Sequence, residues 1–116
     1  MSQPHLTLNL VEGSVSCQFT AQAAQSLQAE LSRLLERLKA TSAQSVPGGR
    51  ATPQPPMEYR YTGDIFLEVF CNPNIWASPF AAKVLITLRD DRIRLTTEAE
   101  LSRLIEDVNQ YLEQIS

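Results

Sequence analysis

The feature that most constrains the fold of this 116-residue sequence is a seven-residue segment that occurs twice in nearly the same form. Residues 30–36 read Glu-Leu-Ser-Arg-Leu-Leu-Glu, and residues 100–106 read Glu-Leu-Ser-Arg-Leu-Ile-Glu. Each copy follows two short segments in which apolar and polar residues alternate, a pattern typical of half-buried strands. The sequence therefore predicts two strand–strand–helix units with an insert between them.

Six segments show the alternation expected of strands. They are residues 6–10, 14–19, 57–62, 65–71, 84–88 and 92–96. Short turns separate neighbouring segments, for example Glu12-Gly13 and Asp90-Asp91, so we expect neighbouring strands to pair antiparallel.

Two amphipathic helices are predicted from apolar residues that recur at three- and four-residue steps. The first stripe comprises Leu27, Leu31, Leu34, Leu35 and Leu38, and the second comprises Leu101, Leu104, Ile105, Val108, Leu112 and Ile115. Thr20 is placed to cap the first helix, and Thr97 with Glu100 forms a capping box that predicts the start of the second. Because each helix has one apolar face, we expect an α+β fold, with both helices on one face of a single antiparallel sheet of about six strands.

The length predicts a single domain over residues 1–116. Residues 41–56 are rich in proline, glycine and serine, and we interpret them as a flexible loop within that domain. The net charge of −3 disfavours nucleic acid or an anionic membrane as a partner. No secretion signal or transmembrane run is visible, and two cysteines do not make a disulfide framework, so we expect a cytoplasmic protein.

Residues that commonly carry catalysis are sparse. His5 is the only histidine and lies at the start of the chain, while Cys17 and Cys71 are in phase with the apolar sides of their strands, as core residues would be. These three residues do not make a zinc site of recognisable spacing, and Gly48-Gly49 lacks the surroundings of a phosphate-binding loop. We therefore expect no enzyme, with no catalytic residue, no cofactor and no metal ion.

The best functional signal is a set of apolar residues that oppose the phase of the core. Phe66, Phe70 and Leu85 would lie on the sheet face that the helices leave open, beside an apolar loop that contains Trp76 and Phe80. The alternative is that this loop folds back over Phe66 and Phe70. Arg92 and Arg94 of the last hairpin are added to this apolar set. The predicted partner-binding residues are Phe66, Phe70, Trp76, Phe80, Leu85, Arg92 and Arg94.

Three classes of function remain open from these residues. The leading one is a non-catalytic adaptor or assembly chaperone that docks a segment of a partner protein on the open face, with a homodimer as a further possibility. The second is a small-ligand-binding protein or an enzyme with an unrecognised pocket. The third is RNA binding through Arg92 and Arg94 with nearby aromatic residues, which the acidic composition disfavours.

A resemblance adds to the leading hypothesis. The chain is rich in glutamine and arginine but has only two lysines, Lys39 and Lys83, and residues 86–95 read Ile-Thr-Leu-Arg-Asp-Asp-Arg-Ile-Arg-Leu. In these features it resembles small cyanobacterial proteins of unknown function, and in size and acidity it is similar to the carboxysome assembly chaperones. That resemblance implies the tail of a shell protein as the partner, and it assigns no role to any individual residue.

Overall fold

The computed structural model describes residues 5–43 and 53–115. Within these ranges the chain is α+β, as predicted, with two α-helices and antiparallel strands. The strands are β1 (His5–Leu10), β2 (Gly13–Gln18), β3 (Met57–Thr62), β4 (Phe66–Cys71), β5 (Lys83–Arg89) and β6 (Arg94–Glu100). The helices are α1 (Ala21–Ala43) and α2 (Leu101–Ile115), and a single 3-10 turn (Pro73–Ile75) lies between β4 and β5.

The prediction of one six-stranded sheet is wrong, because the described strands form two separate sheets. β1 pairs only with β2, whereas β3, β4, β5 and β6 form a four-stranded antiparallel meander in that order. The 23 residues of α1 separate the first hairpin from the meander, and β1 packs against α2 and lies near β6 without joining its ladder. Alternation shows that a strand has one buried face, but it does not reveal which strands pair across a long insertion.

One cluster of buried apolar side chains joins both sheets and both helices. The helices contact each other, α1 contacts β3, and α2 contacts β6. The four-stranded sheet contributes Met57, Tyr59, Leu67, Val69, Cys71, Val84, Ile86, Leu88 and Ala99, while the helices contribute Leu27, Leu31, Leu34, Leu38, Leu101, Leu104, Val108 and Tyr111. The core residues of the four-stranded sheet and the apolar faces of both helices therefore form one core.

Phe19 links the three parts of the core. Its ring centroid lies 4.8 Å from that of Tyr61 in β3 and 6.1 Å from that of Tyr111 in α2, both edge-to-face. The Tyr111 hydroxyl also donates a 2.6 Å hydrogen bond to the Phe19 carbonyl oxygen. These contacts hold the end of the first hairpin between the meander and α2.

The two helices begin differently. The Thr20 hydroxyl oxygen accepts a hydrogen bond from the Ala23 backbone N–H at 3.1 Å, which confirms Thr20 as the cap of α1. The predicted capping box of α2 is wrong, because Thr97 and Glu100 belong to β6 and pair with Ile86 and Lys83 of β5. The pairing with β5 continues to the last residue before the helix, so ladder hydrogen bonds replace the local cap.

The prediction of a flexible loop over residues 41–56 lies largely outside the described residues. Residues 41–43 form the end of α1, and residues 53–56 are an irregular segment that is attached to the 3-10 turn. The Gln54 backbone N–H donates to Asn74 Oδ1, and Asn74 Nδ2 donates to the Gln54 carbonyl oxygen, each at 2.8 Å. The chain that leads into β3 is therefore held in place by Asn74.

Candidate functional site

The side chains of the four-stranded sheet that point away from the core form a surface that we call the open face. The strand register arranges it in three rows that run across β3, β4, β5 and β6. The first row is Glu58, Phe70, Leu85 and Glu98; the central row is Arg60, Glu68, Thr87 and Thr96; the third row is Thr62, Phe66, Arg89 and Arg94.

The two inner strands of this sheet supply the apolar part of the open face. Phe66 and Phe70 of β4 are half-buried, Leu85 of β5 is 42% exposed, and none of the three belongs to the core cluster. Two aromatic rings and a leucine on the inner strands of one sheet face, outside the core, are more apolar surface than isolated surface residues provide. This arrangement favours contact with another apolar surface.

Among the described residues, the charged side chains beside the apolar residues are paired in the central row but not in the third row. Arg60 Nε donates to Glu68 Oε2 at 2.7 Å, and this hydrogen bond raises the pKa of Arg60. The Arg89 guanidinium lies 4.5 Å from the centroid of the Phe66 ring, in cation–π geometry. Arg89 also faces Arg94 across β5 and β6, and neither arginine forms a salt bridge with any carboxylate in the described part of the chain. The third row thus carries two cations without an anionic partner.

The structure divides the seven predicted partner-binding residues among three places. Phe66, Phe70, Leu85 and Arg94 lie on the open face. Arg92 lies in the turn between β5 and β6, where its backbone N–H donates to Asp90 Oδ1 at 2.8 Å. Trp76 and Phe80 lie in the connection between β4 and β5.

Trp76 and Phe80, the aromatic residues of the connection between β4 and β5, do not cover the apolar residues of the open face. The 3-10 turn of the connection contacts α1, and Trp76 packs against the core cluster with its indole N–H buried. Phe80 is 90% exposed. The connection therefore lies toward the helices, and Phe66 and Phe70 stay uncovered by these side chains.

One residue expected in the core is at the surface instead. Ile93 is in phase with Leu95, so alternation in the sequence places it on the core side of the last hairpin, but it is 61% exposed. β6 begins one residue later, at Arg94, and Ile93 belongs to the turn that Asp90 organises by accepting the Arg92 and Ile93 N–H groups. These hydrogen bonds also lower the pKa of Asp90.

The two thiols are buried and unpaired. Burial raises the pKa of Cys17 to about 11, and burial also raises the pKa of Cys71 to about 11 against a smaller lowering by the Trp76 indole. Both thiols are therefore protonated near neutral pH and shielded from solvent, unlike the exposed thiolates of catalytic cysteines. In residues 5–43 and 53–115, no group of three or more histidine, cysteine, aspartate or glutamate side chains is placed to hold a metal ion.

Two hollows lie on the helical side; polar and apolar side chains line the larger one, and mainly polar side chains line the smaller one. A groove of about 250 Å³ between α1 and α2 is bordered by Gln28 and Asn109, which share a 2.8 Å hydrogen bond. A smaller hollow of about 140 Å³ beside β1 includes His5 and Asp107. Asp107 is engaged by both the backbone and the side-chain N–H of Asn9, each at 2.8 Å, so it serves the fold.

Comparisons with protein-family models, with curated proteins and with solved structures found no match. Among the helices that the structure describes, none is both long and apolar enough to cross a membrane. The open face is therefore the surface of the described chain that points to a function.

Proposed function

We propose that this chain is a non-catalytic protein-binding protein, an adaptor or assembly chaperone, whose open face docks a segment of a partner protein. The observation that carries this proposal is the set of three large apolar side chains, Phe66, Phe70 and Leu85, on the two inner strands of a sheet face that the core does not use. Apolar and aromatic anchors surrounded by polar side chains are typical of the centre of a protein interface.

The chemistry of the open face describes the segment that would fit. Apolar side chains of the segment would lie on Phe66, Phe70 and Leu85, and a carboxylate would meet Arg89 and Arg94, which have no anionic partner among the described residues. β3 and β6 are the outer strands of the meander, so an extended segment could also add to an edge through backbone hydrogen bonds. The resemblance to carboxysome assembly chaperones makes a shell-protein tail our specific candidate.

Two further parts of the proposal rest on the residues around the core. We propose a non-catalytic role because the buried, protonated thiols and the engaged Asp107 carboxylate are already committed to the fold. We propose a cytoplasmic location because Cys17 and Cys71 are unpaired, as cysteines usually are in a reducing compartment.

RNA is the second candidate occupant, favoured by the Arg89 guanidinium over the Phe66 ring and by the adjacent Arg94. Stacking aromatic and arginine side chains on a sheet is a known mode of binding single-stranded RNA. The net charge of −3 opposes this candidate. Binding of a fluorescent single-stranded RNA that collapses between low and moderate salt would favour RNA over a protein segment.

The test is affinity capture from the native source with the wild-type chain, a Phe66→Ser/Phe70→Ser variant and a Val11→Ser control. Val11 is 56% exposed at the turn between β1 and β2. Val11→Ser therefore also removes exposed apolar surface, but at a site away from the open face. We expect the wild type and the control to capture the same protein. The free energy with which that protein binds the double variant should be weaker by a few kcal/mol, as for interface anchors. Urea unfolding should show that the double variant remains folded.

Equal capture by all three proteins would contradict the proposal. Unfolding of the double variant, with normal capture by the fraction that remains folded, would show that Phe66 and Phe70 serve the core instead.

A further inference from the structure

We infer that the partner segment binds as an added strand along the outer edge of β6, with an acidic side chain opposite Arg94 and a basic side chain opposite Glu98. The inference rests on the proposed function and deepens it, because it names the strand that receives the segment and the charge pattern that the segment carries. Three features of β6 support it: unused backbone groups, half-buried surface beside the core, and two charges of opposite sign.

The backbone groups of alternate β6 residues point to the outer edge of the sheet. At one end of the ladder between β5 and β6, the Leu101 N–H donates to the Ala82 carbonyl oxygen at 3.0 Å. At the other end, the Asp90 N–H donates to the Ile93 carbonyl oxygen at 3.0 Å. Every second residue pair of an antiparallel ladder carries its hydrogen bonds, so the odd-numbered residues of β6 bond to β5. The residues that direct their N–H and C=O groups outward are therefore Arg94, Thr96, Glu98 and Glu100.

The outer edge of β6 is open over most of its length. β6 is the last strand of the meander, and in the described ranges 5–43 and 53–115 no residue bonds to the outward backbone groups of Thr96 or Glu98. β1 comes near β6, and the hollow that both strands line lies at Leu10 and Glu100, where each strand ends. An added strand opposite Thr96 and Glu98 therefore meets unused donors and acceptors.

The core-facing side of this edge is incompletely covered. Leu95 and Thr97 are half-buried, whereas Ala99, nearer to α2, is buried. Side chains of an added strand alternate between the two faces of the sheet, so apolar side chains opposite Leu95 and Thr97 would cover that surface. The fitting segment therefore alternates apolar residues with polar ones.

The charges of β6 specify the polar residues of the segment. Arg94 and Glu98 are exposed on the open face, two residues to either side of Thr96, and neither forms an ion pair with another described residue. Opposite charges on neighbouring strands stabilise the pairing, and like charges oppose it. Because Arg94 also faces Arg89 across the ladder, an acidic side chain opposite Arg94 offsets two positive charges. The segment therefore carries an acidic and a basic side chain four residues apart.

The outer edge of β3 is less suited to such a segment. Arg60 of β3 is already bonded to Glu68 at 2.7 Å. On β6, by contrast, the cation and the anion are both without a partner among the described residues. The charges therefore favour β6 over β3 as the receiving strand.

The test uses a short fluorescent peptide with the central sequence Lys-Val-Thr-Val-Asp, whose binding is measured by fluorescence anisotropy. Thr96→Pro removes an outward N–H that makes no bond to β5, and proline is tolerated at such positions of edge strands. Thr96→Ala is the matched control, because it keeps the N–H. We expect the wild type to bind, the proline variant to raise the dissociation constant about tenfold or more, and the control to stay within about twofold. Circular dichroism checks that each variant is folded.

Arg94→Glu tests the charge pattern and does not depend on how the proline variant folds. It should raise the dissociation constant of the Lys-Val-Thr-Val-Asp peptide about threefold or more, because the aspartate then faces a like charge. The same variant should bind a Lys-Val-Thr-Val-Lys peptide more tightly than the wild type does. This rescue holds for either direction of the added strand, since both charged positions of the edge are then acidic.

Amide hydrogen exchange locates the bound peptide on the sheet. In the free protein the Thr97 N–H, which bonds to β5, should exchange slowly, and the outward N–H groups of Thr96 and Glu98 should exchange fast. Binding of the peptide should slow the exchange at Thr96 and Glu98.

Three results would overturn the inference: no binding of the Lys-Val-Thr-Val-Asp peptide to the wild type, equal binding by a folded Thr96→Pro or by Arg94→Glu, or unchanged exchange at Thr96 and Glu98 in the complex. Phe66→Ser/Phe70→Ser should bind the peptide as the wild type does, because both residues lie on β4, two strands from the outer edge. Capture that depends on Phe66 and Phe70 without peptide binding would reject the β6 edge and leave the proposed function standing. Peptide binding with capture that does not depend on them would reject the proposed function instead.

Discussion

At the scale of single residues, Asp107 is the side chain whose role the sequence conceals. It lies in α2 and is 4% exposed, with its carboxylate bonded to the backbone and side-chain N–H groups of Asn9 at 2.8 Å. Arg103 Nε lies 3.7 Å from Oδ1 on the same helix. A buried carboxylate with several donors connects elements firmly, because removing it leaves the donors without an acceptor. Asp107 therefore fastens β1 to α2.

Substitution of Asp107 should measure this connection. Asp107→Ala is expected to lower the free energy of unfolding by about 3 kcal/mol, because it removes two charge-assisted hydrogen bonds from a buried site. Glu106→Ala is the matched control, since the Glu106 side chain is 68% exposed and its carboxylate accepts a 3.3 Å hydrogen bond from Arg103. That control should cost less than about 0.5 kcal/mol. Urea unfolding measures the free energy of unfolding of both variants. Equal decreases would show that the hydrogen bonds of Asp107 stabilise the fold no more than the exposed contact of Glu106 does.

At the scale of elements, the repeated segment shows what a local pattern encodes. Both copies bury the same positions: Leu31 and Leu34 in α1, Leu101 and Leu104 in α2. Arg33 and Arg103 occupy equivalent positions, and each forms an ion pair with a glutamate three residues away. The partner of Arg33 is Glu30, which precedes it, and the partner of Arg103 is Glu106, which follows it. The element boundary differs, however. The first copy lies inside α1, whereas Glu100, the first residue of the second copy, is the last residue of β6.

The two threonines that precede the helices provide a test of that boundary. Thr20→Val should lower the free energy of unfolding by about 1 kcal/mol, because the Ala23 N–H loses its acceptor at the start of α1. Thr97→Val should cost almost nothing, because Thr97 lies in β6 and valine suits a strand. Chemical denaturation of both variants measures the difference. A loss at Thr97 as large as the loss at Thr20 would restore the capping box that the sequence suggested.

At the scale of the whole molecule, stability depends on how the first hairpin joins the meander and the helices. Phe19 is 2% exposed and contacts the rings of Tyr61 and Tyr111, so it touches both the four-stranded sheet and α2. β1 also packs on α2, and the buried cluster continues through all of these elements. The two sheets therefore share one core, and we expect them to unfold together.

Two phenylalanines test this expectation. Phe19→Ala should lower the free energy of unfolding by about 3–5 kcal/mol, because it leaves a cavity in the core, while Phe80→Ala should change it by less than about 0.5 kcal/mol. Phe80 is the matched control because it is 90% exposed. Far-ultraviolet circular dichroism and the fluorescence of Trp76 should report a single transition in both variants. Separate transitions in Phe19→Ala would show that the hairpin unfolds independently.

The sequence by itself determined the class of the fold, the approximate positions of the strands and helices, and the residues of the open face such as Phe66, Phe70 and Leu85. These features follow from periodicities of two and 3.6 residues, which reflect the direction of each side chain within its own element. They need no knowledge of distant parts of the chain, and so the sequence was sufficient.

Only the tertiary structure decided which elements meet. It separated β1 and β2 from the meander, extended β6 to Glu100, moved Trp76 to the core and buried Asp107 against Asn9. Each of these outcomes depends on contacts between residues far apart in the chain, such as Asn9 and Asp107, whose energies are comparable to the local preferences they override. Local patterns do not contain those contacts, because a pattern records which face of an element is apolar and not what covers it.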